Sequence, residues 1–162
     1  MKSATISNEA TVAIPEDPLG QAELLCASRK HRFTPWRRQV LSVLLQHQEC
    51  VTAYDLLKEL RESHGRCEPP TVYRALDFLL AEGLVYRVES LNAYQAKRDF
   101  LSQSYSLLLV CSHCHSVTEL DGDSVCNSLC IQLKKAGFEL TGYQVEVKVT
   151  CESCGEVSQK AG

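Results

Sequence analysis

The chain has 162 residues, 44% hydrophobic and 23% charged, with nine cysteines and a net charge of −3. This length holds one ordinary domain or two small ones, and this composition excludes a disordered or low-complexity polymer. No stretch nears the roughly 18 apolar residues of a membrane span. Residues 1–13 lack the apolar run of a secretory signal, so the expectation is a cytoplasmic protein whose cysteines hold metal or stay reduced.

Residues 1–16 read as a flexible lead. A first helix is expected over residues 17–30, with Leu19, Ala22, Leu25 and Cys26 at helical spacing. A second starts at Thr34-Pro35, an N-cap residue followed by proline at the first helical position, and carries Val40, Leu41, Val43, Leu44 and Leu45 inward. A third starts at Thr52, where Asp55 stands in the capping-box position, and buries Leu56, Leu57 and Leu60 before stopping near His64-Gly65. The fourth opens at Pro69-Pro70 and ends at Gly83, with Val72, Ala75, Leu76, Leu79 and Leu80 on one face. Arg74, Asp77 and Ala81 point the other way, Thr71 and Tyr73 lie on the flanks, and Phe78 falls off the apolar stripe. Two short strands follow, residues 84–89 and 93–96, turned at Leu91-Asn92. This spacing predicts a winged helix-turn-helix.

The pattern then changes. Residues 104–110 form an apolar strand, residues 115–120 return from it, residues 123–136 are helical and residues 143–150 alternate as a strand. The helix turns Val125, Cys126, Leu129, Cys130 and Leu133 to one face. At the two strand ends stand the knuckles Cys111-Ser-His-Cys114 and Cys151-Glu-Ser-Cys154. Each offers two thiolates to one ion, and together they complete the four-sulfur tetrahedron of a closed, structural zinc site. The fold expected is α+β: a winged-helix domain over 17–97, a hinge over 98–104, a small α/β dimerisation domain over 105–157 and a tail over 158–162. One zinc ion is expected per chain. Its exposed sheet edge and apolar helix point to a homodimer.

Charge is uneven. Residues 29–98 carry 12 Lys and Arg against 8 Asp and Glu, whereas residues 99–162 carry 4 against 8. A basic middle beside an acidic, metal-holding end points the middle at a polyanion, here double-stranded DNA. A recognition helix enters the major groove by its N-terminal half, which places Thr71, Tyr73 and Arg74 at the bases and phosphates. Arg37 and Arg38 fit phosphate contacts, aided by Lys30 and Arg32.

Arg32-Phe-Thr-Pro35, Ala53-Tyr-Asp-Leu-Leu57, Pro69-Pro-Thr-Val-Tyr-Arg-Ala-Leu-Asp-Phe-Leu79 and the two knuckles resemble the Fur family of bacterial metal-dependent regulators. The resemblance covers roughly residues 20–157 and is strongest to the zinc-uptake-regulator branch. It implies a dimeric repressor that acts on A·T-rich palindromic operators and is linked to zinc homeostasis, with DNA contacts from Tyr54, Tyr73 and Arg74. It also implies a regulatory metal site at the hinge, whose four positions fall at Tyr86, Lys97, Ser104 and Glu119. Only Glu119 remains a good zinc ligand there, and the Lys97 ammonium opposes a cation. The expectation is therefore a degenerate sensing site with Glu119 as its remnant. Either Lys97 replaces the cation, paired to Glu119 or Asp99, or another set drawn from His113, His115, Glu119 and the remaining cysteines takes over.

The rival from the enzymes is a thiol–disulfide oxidoreductase or redox sensor using the Cys-x-x-Cys pairs. It is disfavoured because a strand, not a helix N-terminus, meets Cys111. A winged-helix adaptor that no longer binds DNA is a third reading. The sequence reading is a regulator, not an enzyme.

Overall fold

The computed structural model describes residues 17–97, 99–101 and 104–159. The expected lead, positions 98, 102 and 103 of the hinge, and residues 160–162 lie outside the described residues.

Helix α1 (Pro18–Ser28) starts because Asp17 accepts hydrogen bonds from the Leu19 and Gly20 amides, satisfying two of the donors a helix start leaves open. Helix α2 (Pro35–Gln46) has Thr34 at its N-cap, but the hydroxyl makes no cap bond, and the ladder begins from the Thr34 carbonyl to the Arg38 amide. Helix α3 (Ala53–His64) is capped by Thr52 Oγ1, which accepts from the Asp55 amide at 3.1 Å and bonds the Asp55 carboxylate at 2.6 Å. Helix α4 (Pro69–Ala81) stops at Gly83, whose φ of 71° only glycine adopts freely. The predicted stripes meet in one core of Ala22, Cys26, Val40, Leu41, Leu44, Leu56, Leu60, Val72, Leu76 and Leu79.

Strands β2 (Val85–Val88) and β3 (Ala93–Ala96) form the wing hairpin, turned through a single 3₁₀ turn and Asn92 at φ 47°. A third, two-residue strand was not expected: β1 (Val51–Thr52) pairs with β3, so the sheet order is β1-β3-β2.

The second sheet has the order β5-β4-β6. Strand β4 (Ser106–Cys111) pairs antiparallel with β5 (Val117–Asp121) and parallel with β6 (Gln144–Val149). Helix α5 (Asp123–Lys135) supplies the crossover that a parallel pair requires. It buries Cys126, keeps Leu129, Cys130 and Leu133 half-buried, and leaves the expected inward residue Val125 exposed. A further helix, α6 (Glu152–Gln159), was not anticipated and runs past the expected start of the tail. The wing packs on this sheet through Tyr86 and Val88 against Leu108 and Val110.

Candidate metal centre and nucleic-acid interface

Parallel pairing decides where the cysteines go. Because β4 and β6 run the same way, with Cys111 opposite Val149, both strands end at one edge of the sheet. A tight turn after β4 carries Cys114 back, helped by His115 at φ 60° and by the Cys111 amide on the Ser116 carbonyl. After β6, Cys151 immediately precedes α6 and Cys154 lies in that helix's first turn. The four sulfurs lie within 4.8 Å of one another, and those of Cys114 and Cys151 are 3.7 Å apart. A tetrahedral zinc with bonds of about 2.3 Å has sulfur–sulfur edges of roughly 3.8 Å, so this donor set fits that ion. The four sulfurs form the one metal-ligand cluster found among the described residues.

Their protonation is uneven. Backbone amides of Cys114, Cys151 and His113 face the Cys111 sulfur and hold its thiol down at about 5. Ser116, through hydroxyl and amide, lowers Cys114. Cys154 meets the other sulfurs, Cys151 foremost, and is pushed up to about 12. A bound cation removes that conflict by stabilising all four thiolates at once. A nucleophilic role suits the arrangement poorly: Cys111, the readily ionised thiol, is 1% exposed at the end of a strand.

At the expected regulatory position the chemistry is different. The Tyr86 hydroxyl donates to Glu119 Oε1, and Ser106 Oγ lies beside both, its single proton going to the same Glu119 oxygen at 3.0 Å or to the phenol oxygen. Burial first, and the Glu119 hydrogen bond second, hold the Tyr86 phenol well above the ordinary tyrosine range, so at neutral pH it is a protonated donor. Ser106, which the resemblance did not single out, is the serine in this contact. Lys97 lines a cleft of about 610 Å³ together with Arg29, Glu82, Tyr86, Phe100 and Tyr143. The alternative set does not assemble among the described residues: His113 and His115 are exposed, Cys126 is buried on α5 and Cys130 is half-buried there.

The expected DNA-contacting side chains are exposed only in part. Tyr54, at the start of α3, is 76% exposed, Tyr73 on α4 is 51% exposed, Arg74 is exposed and Thr71 is half-buried. Arg38 extends to Glu23, with Nη1 2.7 Å from its carboxylate. Arg37 sits over the Phe78 ring, its guanidinium carbon 3.5 Å from the centroid, and donates to the Arg32 carbonyl. Phe78 thus has a job that sequence periodicity did not reveal. His31 meets the Phe78 ring edge-on and bonds the Glu82 carboxylate at 2.5 Å. Glu82, 5% exposed at the C-cap of α4, also binds Arg29 at 3.1 Å. These contacts fix the loop before α2 against the end of α4.

Comparison with known proteins bears on this geometry. The profile of the ferric uptake regulator family matches residues 28–148. The zinc uptake regulation protein of Escherichia coli (strain K12) is 39% identical over 143 residues, covering 88% of this chain and 84% of that protein. The ferric uptake regulation protein of Helicobacter pylori is 22% identical over 120 residues, covering 74% and 79%. A solved zinc uptake regulator complexed with zinc and DNA superposes with a TM-score of 0.77 at 39% identity, covering 87% of this chain and 95% of that one. The holo form of XcZur gives 0.74 at 37% identity, covering 85% and 96%.

Proposed function

This chain belongs to the ferric uptake regulator family, and from that membership we propose a zinc-uptake-type repressor that binds palindromic DNA operators as a homodimer. The observation that carries the reading is the pairing of a closed four-sulfur centre with an exposed Tyr54, Tyr73 and Arg74 on a helical unit bearing a wing. The similar regulator solved with zinc and DNA supports both halves of it.

In this reading residues 17–97 are the DNA-binding unit, 98–104 the hinge and 105–157 the dimerisation unit. Cys111, Cys114, Cys151 and Cys154 hold one structural zinc per chain, which joins the ends of β4 and β6 and leaves no coordination position open for chemistry. Arg74 reads a base edge, with both acceptors of guanine in reach of its planar fork. Tyr54, Thr71, Tyr73, Arg37 and Arg38 meet phosphates and sugars or a thymine methyl. Arg38 must leave Glu23 to do so, at little cost because that ion pair is exposed. Leu120, Val125, Ile131, Phe138 and Val147 stand exposed around the second sheet and its helix, and a second copy covers them. No described helix is long and apolar enough to cross a membrane. The protein acts in the cytoplasm and catalyses no reaction.

The test is operator binding by the zinc-loaded protein, with affinity measured against salt. Arg74→Ala is expected to cost about 1–3 kcal/mol and to relax base preference at one position per half-site. Unchanged affinity and preference would move the function to protein partners instead of DNA.

A further inference from the structure

Among the described residues, three polar links join the wing to the second sheet. Tyr86, 7% exposed on β2, turns its hydroxyl onto Ser106 of β4 and Glu119 of β5. Gln144 Nε2, at the start of β6, donates to the Arg87 carbonyl at 2.8 Å. The Glu89 amide donates to Glu146 Oε2 at 2.9 Å. Behind these links runs the apolar seam of Val88 against Leu108 and Val110.

Register explains how the first link forms. Leu108 stands opposite Glu119, so Ser106 is Glu119's diagonal neighbour on the same face, within reach of its carboxylate. Glu119 is the one good ligand among the four positions where the family resemblance puts a sensing ion, and its Oε1 is already taken by two hydroxyls. A cation arriving here would displace Tyr86 and Ser106 and gain only oxygen contacts. Zinc favours nitrogen and sulfur. The residues present do not fit a regulatory zinc.

We infer that the Tyr86–Ser106–Glu119 contact, with its two flanking links, is a metal-independent fastener that sets the orientation of the winged helix against the second sheet. This deepens the DNA-binding reading and rests on it for biological meaning. Tyr86 and Glu119 are then positioning residues: they touch no DNA but fix the angle at which a dimer presents its two recognition helices. Operator binding should follow from folding and structural zinc alone, with no second ion required.

The Glu89 amide reports on the fastener, because its acceptor lies across the seam. Its hydrogen-exchange rate is measured by NMR in the full, zinc-loaded protein, with Leu76 and Leu79 amides of α4 as controls for global unfolding. Tyr86→Phe and Glu119→Ala are expected to speed Glu89 exchange about tenfold and leave the α4 amides unchanged, the order expected when a buried polar contact is lost. Glu119→Gln keeps an acceptor for Tyr86 and should match wild type. Added Zn²⁺ beyond one per chain, or a chelator that spares the four-sulfur site, should change nothing in wild type. Unchanged Glu89 exchange in both disrupting variants overturns the inference, as does slowing by a second equivalent of Zn²⁺ in wild type. Should Tyr86→Phe also speed the α4 amides, the contrast between Glu119→Ala and Glu119→Gln decides. Failure of wild type to bind duplex DNA would remove the functional reading while the exchange data still judge the fastener.

Discussion

Arg37 stacked on Phe78 offers a quantitative test of how the helical unit meets DNA. The stack holds the guanidinium 3.5 Å above the ring and bonds it to the Arg32 carbonyl, so the side chain is largely ordered before DNA arrives. If Arg37 meets one phosphate, as proposed, Arg37→Ala removes one such contact per protomer and two per dimer. Salt slope scales as roughly 0.9 per phosphate on B-DNA, so log K against log salt should become shallower by about 1.8. Between about 50 and about 200 mM salt the gap between wild type and variant should then shrink roughly tenfold. Phe78→Leu removes the stacking face but leaves the charge. Each freed arginine must be re-ordered on binding, at about 0.5–1 kcal/mol, or about 1–2 kcal/mol per dimer. That is roughly a five- to thirtyfold loss of affinity with the salt slope unchanged. In the Arg37→Ala background, Phe78→Leu should add nothing further. Fluorescence anisotropy over a salt series measures all three proteins. If Arg37→Ala keeps the wild-type slope, Arg37 meets no phosphate. If Phe78→Leu weakens both backgrounds equally, the ring acts through the core and not through the arginine.

Cys154→Ser should abolish stoichiometric zinc, read by metal analysis, and should convert the dimer to monomer on gel filtration, because structural zinc contributes on the order of 10 kcal/mol to small sites. Gly122→Ala should destabilise by about 1–3 kcal/mol in chemical denaturation: its new Cβ would sit 3.0 Å from the Tyr105 carbonyl oxygen and 3.1 Å from the Leu107 nitrogen, both main-chain atoms that move only with β4. Alkaline stability should depend on Cys26, whose thiol is pushed up to about 11, chiefly by burial and then by Glu82. A thiol raised in the folded state contributes stability that is complete below its unfolded value and lost as pH rises through its folded one, so melting temperature should fall from about pH 9 toward 11. Cys26→Ala should flatten that fall, and an unchanged slope would show that Cys26 ionises as readily folded as unfolded.

Local signals made α2, α3 and α4 readable: caps, terminal prolines and apolar stripes all act within a few residues, and the stripes became the core almost side chain for side chain. Strand β1 was invisible because two residues carry no periodicity and are fixed by pairing with β3. Helix α6 was invisible for a related reason: it is eight residues long, begins inside the second knuckle and contains Gly155. The four cysteines were legible because their chemistry is carried by spacing. The hinge contact was only half legible: the β4–β5 register that brings Ser106 to Glu119 is set by strand pairing and not by any local pattern. Phe78 likewise gained meaning only once α2 lay across α4.

The parallel pairing of β4 with β6 fixes when this molecule can be finished. Cys114 and Cys151 are 37 positions apart, and the later sulfurs leave the ribosome well after the helical half. The helical half, whose contacts are close in sequence, can fold during synthesis while its metal-holding neighbour is still an open loop. A cell short of zinc would therefore accumulate chains with a formed reading head and no means of pairing it, and single heads grip a two-fold site far more weakly than joined ones. Supply of the ion thus governs assembly even where it governs no switch.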